Sequence, residues 1–288
     1  MQDRLRPSLV EGTLLGQRYA LAVPQHALAG AAGERLARRT GNSVDFQDYR
    51  EYHPGDDPRT LDWAVYGRTD KLTVKLYRDE VTPHLDLILD ASASMALAGS
   101  TKLEALWKLA ALFVTAAENA RCTRALWLAG DGFRRLPNDT LPPVAWGIPA
   151  FTSLHSLDAA FDILPPKCRR LGLRLLLSDL LWPGDPLATL RRLANGAAET
   201  LVIQLLAKAD AEPPPPGKLR LEDSESGQIY DLHLDATGQR QYRDALSRHQ
   251  EAWRDACRQT GARFATVIAE QLEESLPDLV ASGALAPA

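Results

Sequence analysis

The sequence predicts an α/β protein: a mainly parallel sheet with helices on both faces, an inserted β-hairpin and an N-terminal extension. Three observations predict it. After Pro83, short apolar stretches of strand length alternate with segments of helical periodicity, the pattern of βα units. One stretch, Leu173-Arg-Leu-Leu-Leu-Ser178-Asp179, is apolar almost without break, as a strand buried on both faces must be. The 288 residues are 45% hydrophobic and 24% charged, enough to bury one large core. The expected organisation is an extension over 1–83 that packs on the core, and an α/β domain over 84–288.

Within the extension, 26–40 reads as a helix and Asp45 to Arg78 as an irregular polar and aromatic stretch. The core opens with a strand carrying Leu85, Leu87 and Leu89 and ending at Asp90. Thr101-x-x-Glu104 predicts a capping box, and Leu103, Leu106, Trp107, Ala110, Phe113, Val114 and Ala117 form the buried stripe of the helix behind it. Residues 124–129 read as a second strand, turned by Gly130-Asp131-Gly132 into a short antiparallel partner. A helix over 153–163 precedes the strand at 173–179. Asp185 before Pro186 starts the next helix, with Leu187, Leu190, Leu193 and Ala194 inward.

Another strand runs from Glu199 to Ala207. Pro213 to Pro216 stiffen the connector into a hairpin of 218–222 and 228–234. Tyr242, Ala245, Leu246, His249, Trp253 and Cys257 mark one face of a helix, and Arg263 to Ile268 closes the sheet before a last short helix.

The charge arithmetic is 33 basic against 37 acidic residues, net −4. No global basic field exists to hold a polyphosphate, so nucleic acid is not an expected partner. Three scattered cysteines, Cys122, Cys168 and Cys257, suggest neither a disulfide framework nor a zinc site. No window reads as a membrane span, and the first residues lack the basic-then-apolar pattern of an export signal. A cytoplasmic location is the expectation.

The chemistry lies at the carboxyl end of the first core strand, in Asp90-Ala-Ser92-Ala-Ser94. In an open α/β sheet that edge is where ligands bind. One carboxylate and two hydroxyls at alternate positions can converge on a hard, oxygen-seeking cation. Mg²⁺ suits them best, because it keeps waters and needs few protein ligands; Mn²⁺ or Ca²⁺ would use the same oxygens. Thr152 and Asp179 offer two further oxygen donors at the same edge.

Asp90-x-Ser92-x-Ser94, Thr152 in Phe-Thr-Ser-Leu, and Ser178-Asp179 resemble the metal-ion-dependent adhesion site of von Willebrand factor A domains, a Rossmann-type fold. A longer block, Arg50-Glu-Tyr52-His-Pro54-Gly55-Asp56-Asp57-Pro58-Arg59-x-x-Asp62-Trp63 followed by Gly67-Arg68, resembles the domain of unknown function 58 family of bacterial proteins. The two blocks cover 45–180, and the Leu221 to Gly227 hairpin extends the likeness. Phe151 and Leu180 depart from the adhesion-site pattern, which often has glycine at both places. The resemblance implies direct ligation by Ser92, Ser94 and Thr152, with Asp90 and Asp179 acting largely through waters. It also implies a partner's Glu or Asp completing the metal, and association with a MoxR-type AAA+ ATPase. A non-enzymatic, Mg²⁺-dependent protein-binding module is the expected function.

Two other classes compete. A Mg²⁺-dependent phosphatase could use Asp90 as nucleophile, but Asp-x-Asp enzymes need an acid where this chain has Ser92. A structural subunit would bind no metal. Phosphate-loop and nucleophile-elbow motifs are absent from the sequence. The Arg50 to Arg68 block reads as an internal network in which Asp56 and Asp57 pair with Arg59 and Arg68. Trp146 and Trp182 are candidates for lining a partner surface.

Overall fold

The computed structural model describes residues 2–23, 44–79, 82–222 and 228–288. It divides into two compact units, Met1–Pro24 with Pro83–Ala288, and Gln25–Thr82. The first 24 residues group with the core unit, where the sequence suggested one extension over 1–83. The expected helix at 26–40 and the hairpin tip at 223–227 lie outside the described residues.

Two contacts draw the amino end into the core unit. Helix α1 (Gln2–Gly16) buries Leu5 and Leu9 in the main hydrophobic cluster, and β1 (Tyr19–Leu21) pairs antiparallel with β12 (Leu285–Pro287). The helix signal is weak because Pro7, Gly12 and Gly16 interrupt α1, three residues of poor helix propensity.

In the smaller unit, β2 (Val44–Glu51) and β3 (Thr73–Asp79) form an antiparallel pair around helix α2 (Trp63–Thr69). The stretch expected to be irregular is therefore ordered, and its aspartates account for the turns. Asp62 caps α2 by accepting from the Ala64 and Val65 amides, and Asp57 accepts from the Arg59 amide at the start of a 3₁₀ turn. The pairing differs from expectation. Asp56 is held by a bidentate fork from Arg50, with both bonds 2.7 Å, because the turn at 53–56 folds Asp56 back onto β2.

The core unit holds a six-stranded sheet of β4 (His84–Asp90), β5 (Thr123–Gly130), β6 (Gly132–Arg135), β7 (Leu173–Ser178), β8 (Glu199–Leu206) and β11 (Arg263–Ile268). Its order is β11-β8-β7-β4-β5-β6, and only β6 runs antiparallel, turned at Asp131. The fold is thus mixed α/β on a mostly parallel sheet, as the alternation predicted. Strands β4, β7 and β8 are buried almost end to end, which is why they read as continuous apolar runs.

Helix α3 (Lys102–Asn119) is buried on nearly every side, lying between the sheet and α1. No capping box forms at its start: the Thr101 hydroxyl donates to Glu270 Oε1 at 2.8 Å instead. Helix α1 can approach only because glycines face α3. A Cβ on Gly12 would lie 2.1 Å from the Lys108 carbonyl oxygen, and one on Gly16 would lie 2.6 Å from that of Leu112. Trp146, expected near a partner surface, is fully buried beside Trp107, with ring centroids 6.1 Å apart. Burial in the main hydrophobic cluster takes the ring out of water, and its N–H still finds the Leu141 carbonyl at 3.0 Å.

The remaining helices are α4 (Leu157–Ile163), α5 (Pro186–Ala194), α6 (Lys208–Ala211), α7 (Ala236–Thr260) and α8 (Leu276–Ala281). Asp185 caps α5 as predicted, by accepting from the Leu187 amide. Strands β9 (Gly217–Glu222) and β10 (Ile229–Leu234) form the inserted hairpin outside the main sheet. Among the described residues, no helix is long and apolar enough to cross a membrane.

Candidate functional site

Strand β4 is followed by a crossover to β5 on one side, while β7, its neighbour on the other side, leads on to β8. The chain therefore parts in opposite directions at the carboxyl ends of β4 and β7, which opens a crevice there. Asp90 ends β4 and Ser178 ends β7. A cavity of about 250 Å³ opens at this point, lined among others by Asp90, Ser92, Ser94, Lys102, Asp179 and Asp210.

Each side chain there is positioned by local structure. Asp90 is 3% exposed; its Oδ1 accepts from the Ser92 amide at 3.0 Å and its Oδ2 from the Ser178 hydroxyl at 2.6 Å. The first bond folds the chain leaving β4 into a 3₁₀ turn, Ala93–Ala96, that brings Ser94 back beside Ser92. Their hydroxyl oxygens are 3.0 Å apart. The loop carrying Thr152 runs alongside: Ser153 bridges to Ser92, and its carbonyl accepts from the Ala93 amide at 2.8 Å.

Four of the five predicted residues, Asp90, Ser92, Ser94 and Asp179, line one cavity. Thr152 does not line it; its side chain is exposed, and the residue that the 150s segment contributes to the wall is Ser156. The segment has its buried Phe151 and Ser153 on either side of Thr152, and in an extended stretch that alternation turns Thr152 away from them.

Ser178, quoted in the sequence only as part of a motif, and two residues that sequence reasoning missed, Lys102 and Asp210, complete the site. Ser178 ties β7 to β4 through Asp90. Lys102, only 2% exposed, extends from the first turn of α3 so that its ammonium lies 2.9 Å from Asp179 Oδ2 and 3.1 Å from Asp210 Oδ2. Asp210 also accepts from the Ala207 amide at 3.0 Å, which fixes the chain after β8. A lysine just ahead of a helix's apolar stripe carries no sign in the sequence that it is buried. The available signal was its place, directly after a Gly-Ser-Thr turn and within reach of the predicted strand ends.

The electrostatics follow from burial. Desolvation, and next the charge of Asp179, push the Asp90 carboxyl up to about 6, against the hydrogen bonds from Ser178 and Ser92 that favour its ionised form. For Lys102, burial pulls the pKa down, but attraction and hydrogen bonds from Asp179 and Asp210 outweigh it and leave the ammonium more firmly protonated than usual. Three carboxylates and one ammonium sum to −2 when all are ionised, and among the described residues Asp90 is the member with no cation against it.

Leu180 follows Asp179 directly. It is fully buried and stands at φ 59°, in the left-handed region, where its amide donates to the Ser178 hydroxyl oxygen at 3.0 Å. Its side chain fills a hydrophobic cluster with Ile88, Leu176 and Trp182. Trp182 lies beside it, 7% exposed, lining the cavity and donating its indole N–H to Asp158.

Among solved structures, the chain resembles BatB from Bacteroides thetaiotaomicron at 12% identity over 69% of this chain and 100% of that one, with a TM-score of 0.35. It also resembles an aerotolerance-related membrane protein from Bacteroides fragilis at 15% identity over 62% and 98%, with a TM-score of 0.31. Among curated proteins it is 28% identical over 264 residues to the uncharacterized proteins Mb1516 of Mycobacterium bovis and Rv1480 of Mycobacterium tuberculosis, covering 85% of this chain and 83% of each. The family model described as protein of unknown function DUF58 matches residues 48–252, which spans both the Arg50–Arg68 block and every residue of the cavity. The chain belongs to the DUF58 family.

Proposed function

We propose that this chain is a von Willebrand A-like, divalent-cation-dependent protein-binding module, with Mg²⁺ the best-suited ion and Mn²⁺ or Ca²⁺ the alternatives. The observation that carries the reading is the pair of hydroxyls at 3.0 Å, Ser92 Oγ and Ser94 Oγ, above a buried carboxylate. An octahedral ion with oxygens at about 2.0–2.1 Å separates adjacent ligands by about 2.9 Å, so the two hydroxyls already span one edge of such a shell. The uncompensated charge of Asp90 supplies the attraction. Among the described residues no three carboxylate, imidazole or thiol side chains are grouped as a cage, so a cation here would be held by hydroxyls and water.

A bound cation would present a partner's carboxylate with a point of positive charge. The chain's own residues do the rest. Ser178 and the Ser92 amide orient Asp90, and Leu97, Leu181 and Trp182 form an apolar rim around the polar floor. That rim favours a protein ligand over a small hydrophilic substrate. Both oxygens of Asp90 accept hydrogen bonds, which blunts it as a nucleophile and weighs against phosphoryl transfer. The family resemblance supplies the partner class, a cytoplasmic MoxR-type AAA+ ATPase.

A melting curve with Mg²⁺ and with chelator tests the metal. Wild type is expected to melt higher with Mg²⁺, and Ser92→Ala/Ser94→Ala to lose the difference. No difference in wild type sinks the reading. Mg²⁺-dependent capture of a MoxR-type ATPase, lost in the same variant, tests the partner; turnover of phosphate esters abolished by Asp90→Asn would favour the phosphatase instead.

A further inference from the structure

The buried ammonium of Lys102 occupies the point on which two carboxylates converge. Asp179 Oδ2 and Asp210 Oδ2 each lie about one hydrogen bond from it, at 2.9 and 3.1 Å. Lysine is seldom buried to this degree without such partners. The three groups come from three separate elements: the start of α3, the end of β7 and helix α6 beyond β8. Asp179 is further fixed by the Leu181 amide on Oδ1 at 3.1 Å, and its carbonyl accepts from Gln204 at 3.2 Å. Neither carboxylate is thus free to swing toward an ion above Ser92 and Ser94.

We propose that Lys102 is a built-in counter-ion that sets the cation selectivity of this site by withholding Asp179 and Asp210 from a metal. With the lysine in place, an incoming ion meets hydroxyls and one uncompensated carboxylate, a ligand set suited to Mg²⁺, which retains most of its water. Ca²⁺ gathers six to eight oxygens and gains most from several carboxylates. Lys102 therefore disfavours Ca²⁺ twice, by its charge and by keeping two acids occupied. The inference rests on the cation-binding reading for its biological sense, but its test is separable.

The experiment measures Ca²⁺ and Mg²⁺ binding to the full chain by calorimetry and melting temperature, for wild type and Lys102→Met. The expected result is that Lys102→Met is destabilised in chelator, recovers stability in Ca²⁺, and binds Ca²⁺ at least about tenfold more tightly than wild type. Adding Asp210→Asn to Lys102→Met should reduce the gain. Ca²⁺ binding by Lys102→Met no tighter than by wild type overturns the proposal, as does a gain untouched by Asp210→Asn. Failure of Lys102→Met to fold in Ca²⁺ as well as in chelator also overturns it, because a cation then cannot stand where the ammonium stood. Wild type without a Mg²⁺ response would remove the proposed function alone; a Ca²⁺ response gained by Lys102→Met would still support the counter-ion role.

Discussion

The hydroxyl of Ser178 donates to Asp90 Oδ2 at 2.6 Å, joining the ends of two adjacent parallel strands whose chains then diverge. It ties the two strand ends together at the base of the crevice. Ser178→Ala removes the donor and leaves a buried carboxylate oxygen without it. Its expected cost is about 1–3 kcal/mol at neutral pH, read by urea unfolding, because the desolvation of that oxygen is no longer offset. An unchanged unfolding midpoint would mean that the bond contributes nothing.

The contact between α1 and α3 has no room for a methyl group. At Gly12 the added Cβ would meet a backbone carbonyl at 2.1 Å, and a backbone oxygen cannot move aside as a side-chain tip can. Gly12→Ala should therefore destabilise by about 1–3 kcal/mol, even though alanine is the better helix former by about 1 kcal/mol. A stabilised variant in thermal or chemical unfolding contradicts the packing.

At Leu180 two effects oppose each other. Glycine would relieve about 1–2 kcal/mol of left-handed strain, but deleting a fully buried leucine side chain costs about 3–5 kcal/mol. Burial wins, so Leu180→Gly is expected to be less stable than wild type. The same unfolding experiment checks the sign.

In the smaller unit, the Arg50 hydrogen bonds and the His53 amide hold the Asp56 carboxyl down at about 2. A depressed acid favours the folded arrangement above the unfolded value near 3.8 and loses that preference as pH falls through about 2. Carboxylate NMR should find Asp56 titrating near 2, and returning towards the ordinary range in Arg50→Gln. Both groups meet solvent, so the titration itself, not global stability, is the readout.

Trp107 is fully buried, and its indole nitrogen has no hydrogen-bond partner among the described residues. Removing that N–H while keeping an aromatic ring should be mild. Trp107→Phe is expected to lose far less stability than Trp107→Ala, for which about 3–5 kcal/mol is typical. Equal losses in melting experiments would show that the nitrogen matters.

Much of this protein was legible because it is local. Strand length, apolar runs and the Asp185-Pro186 cap each depend on neighbours within a few residues, and β4, β7, β8 and α5 lie where those patterns put them. The grouping of Asp90, Ser92 and Ser94 was equally legible, since one turn after a strand brings them together. Helix α1 was missed because its glycines oppose helix formation until α3 covers them. The order in 44–79 was missed because its turns are held by particular aspartate bonds, not by periodicity.

The sequence by itself determined the alternation of strands and helices, the strand that ends in Asp90, and the oxygen-rich chemistry of the turn after it. Only the tertiary structure decided which distant groups meet there. Lys102 and Asp179 are 77 residues apart, and Asp90 and Ser178 are 88 apart. Strand order and register bring each pair together, and those come from packing the whole sheet, in which a buried charge must be paired or hydrogen-bonded. The same packing seated Ser156 at the cavity and turned Thr152 outward.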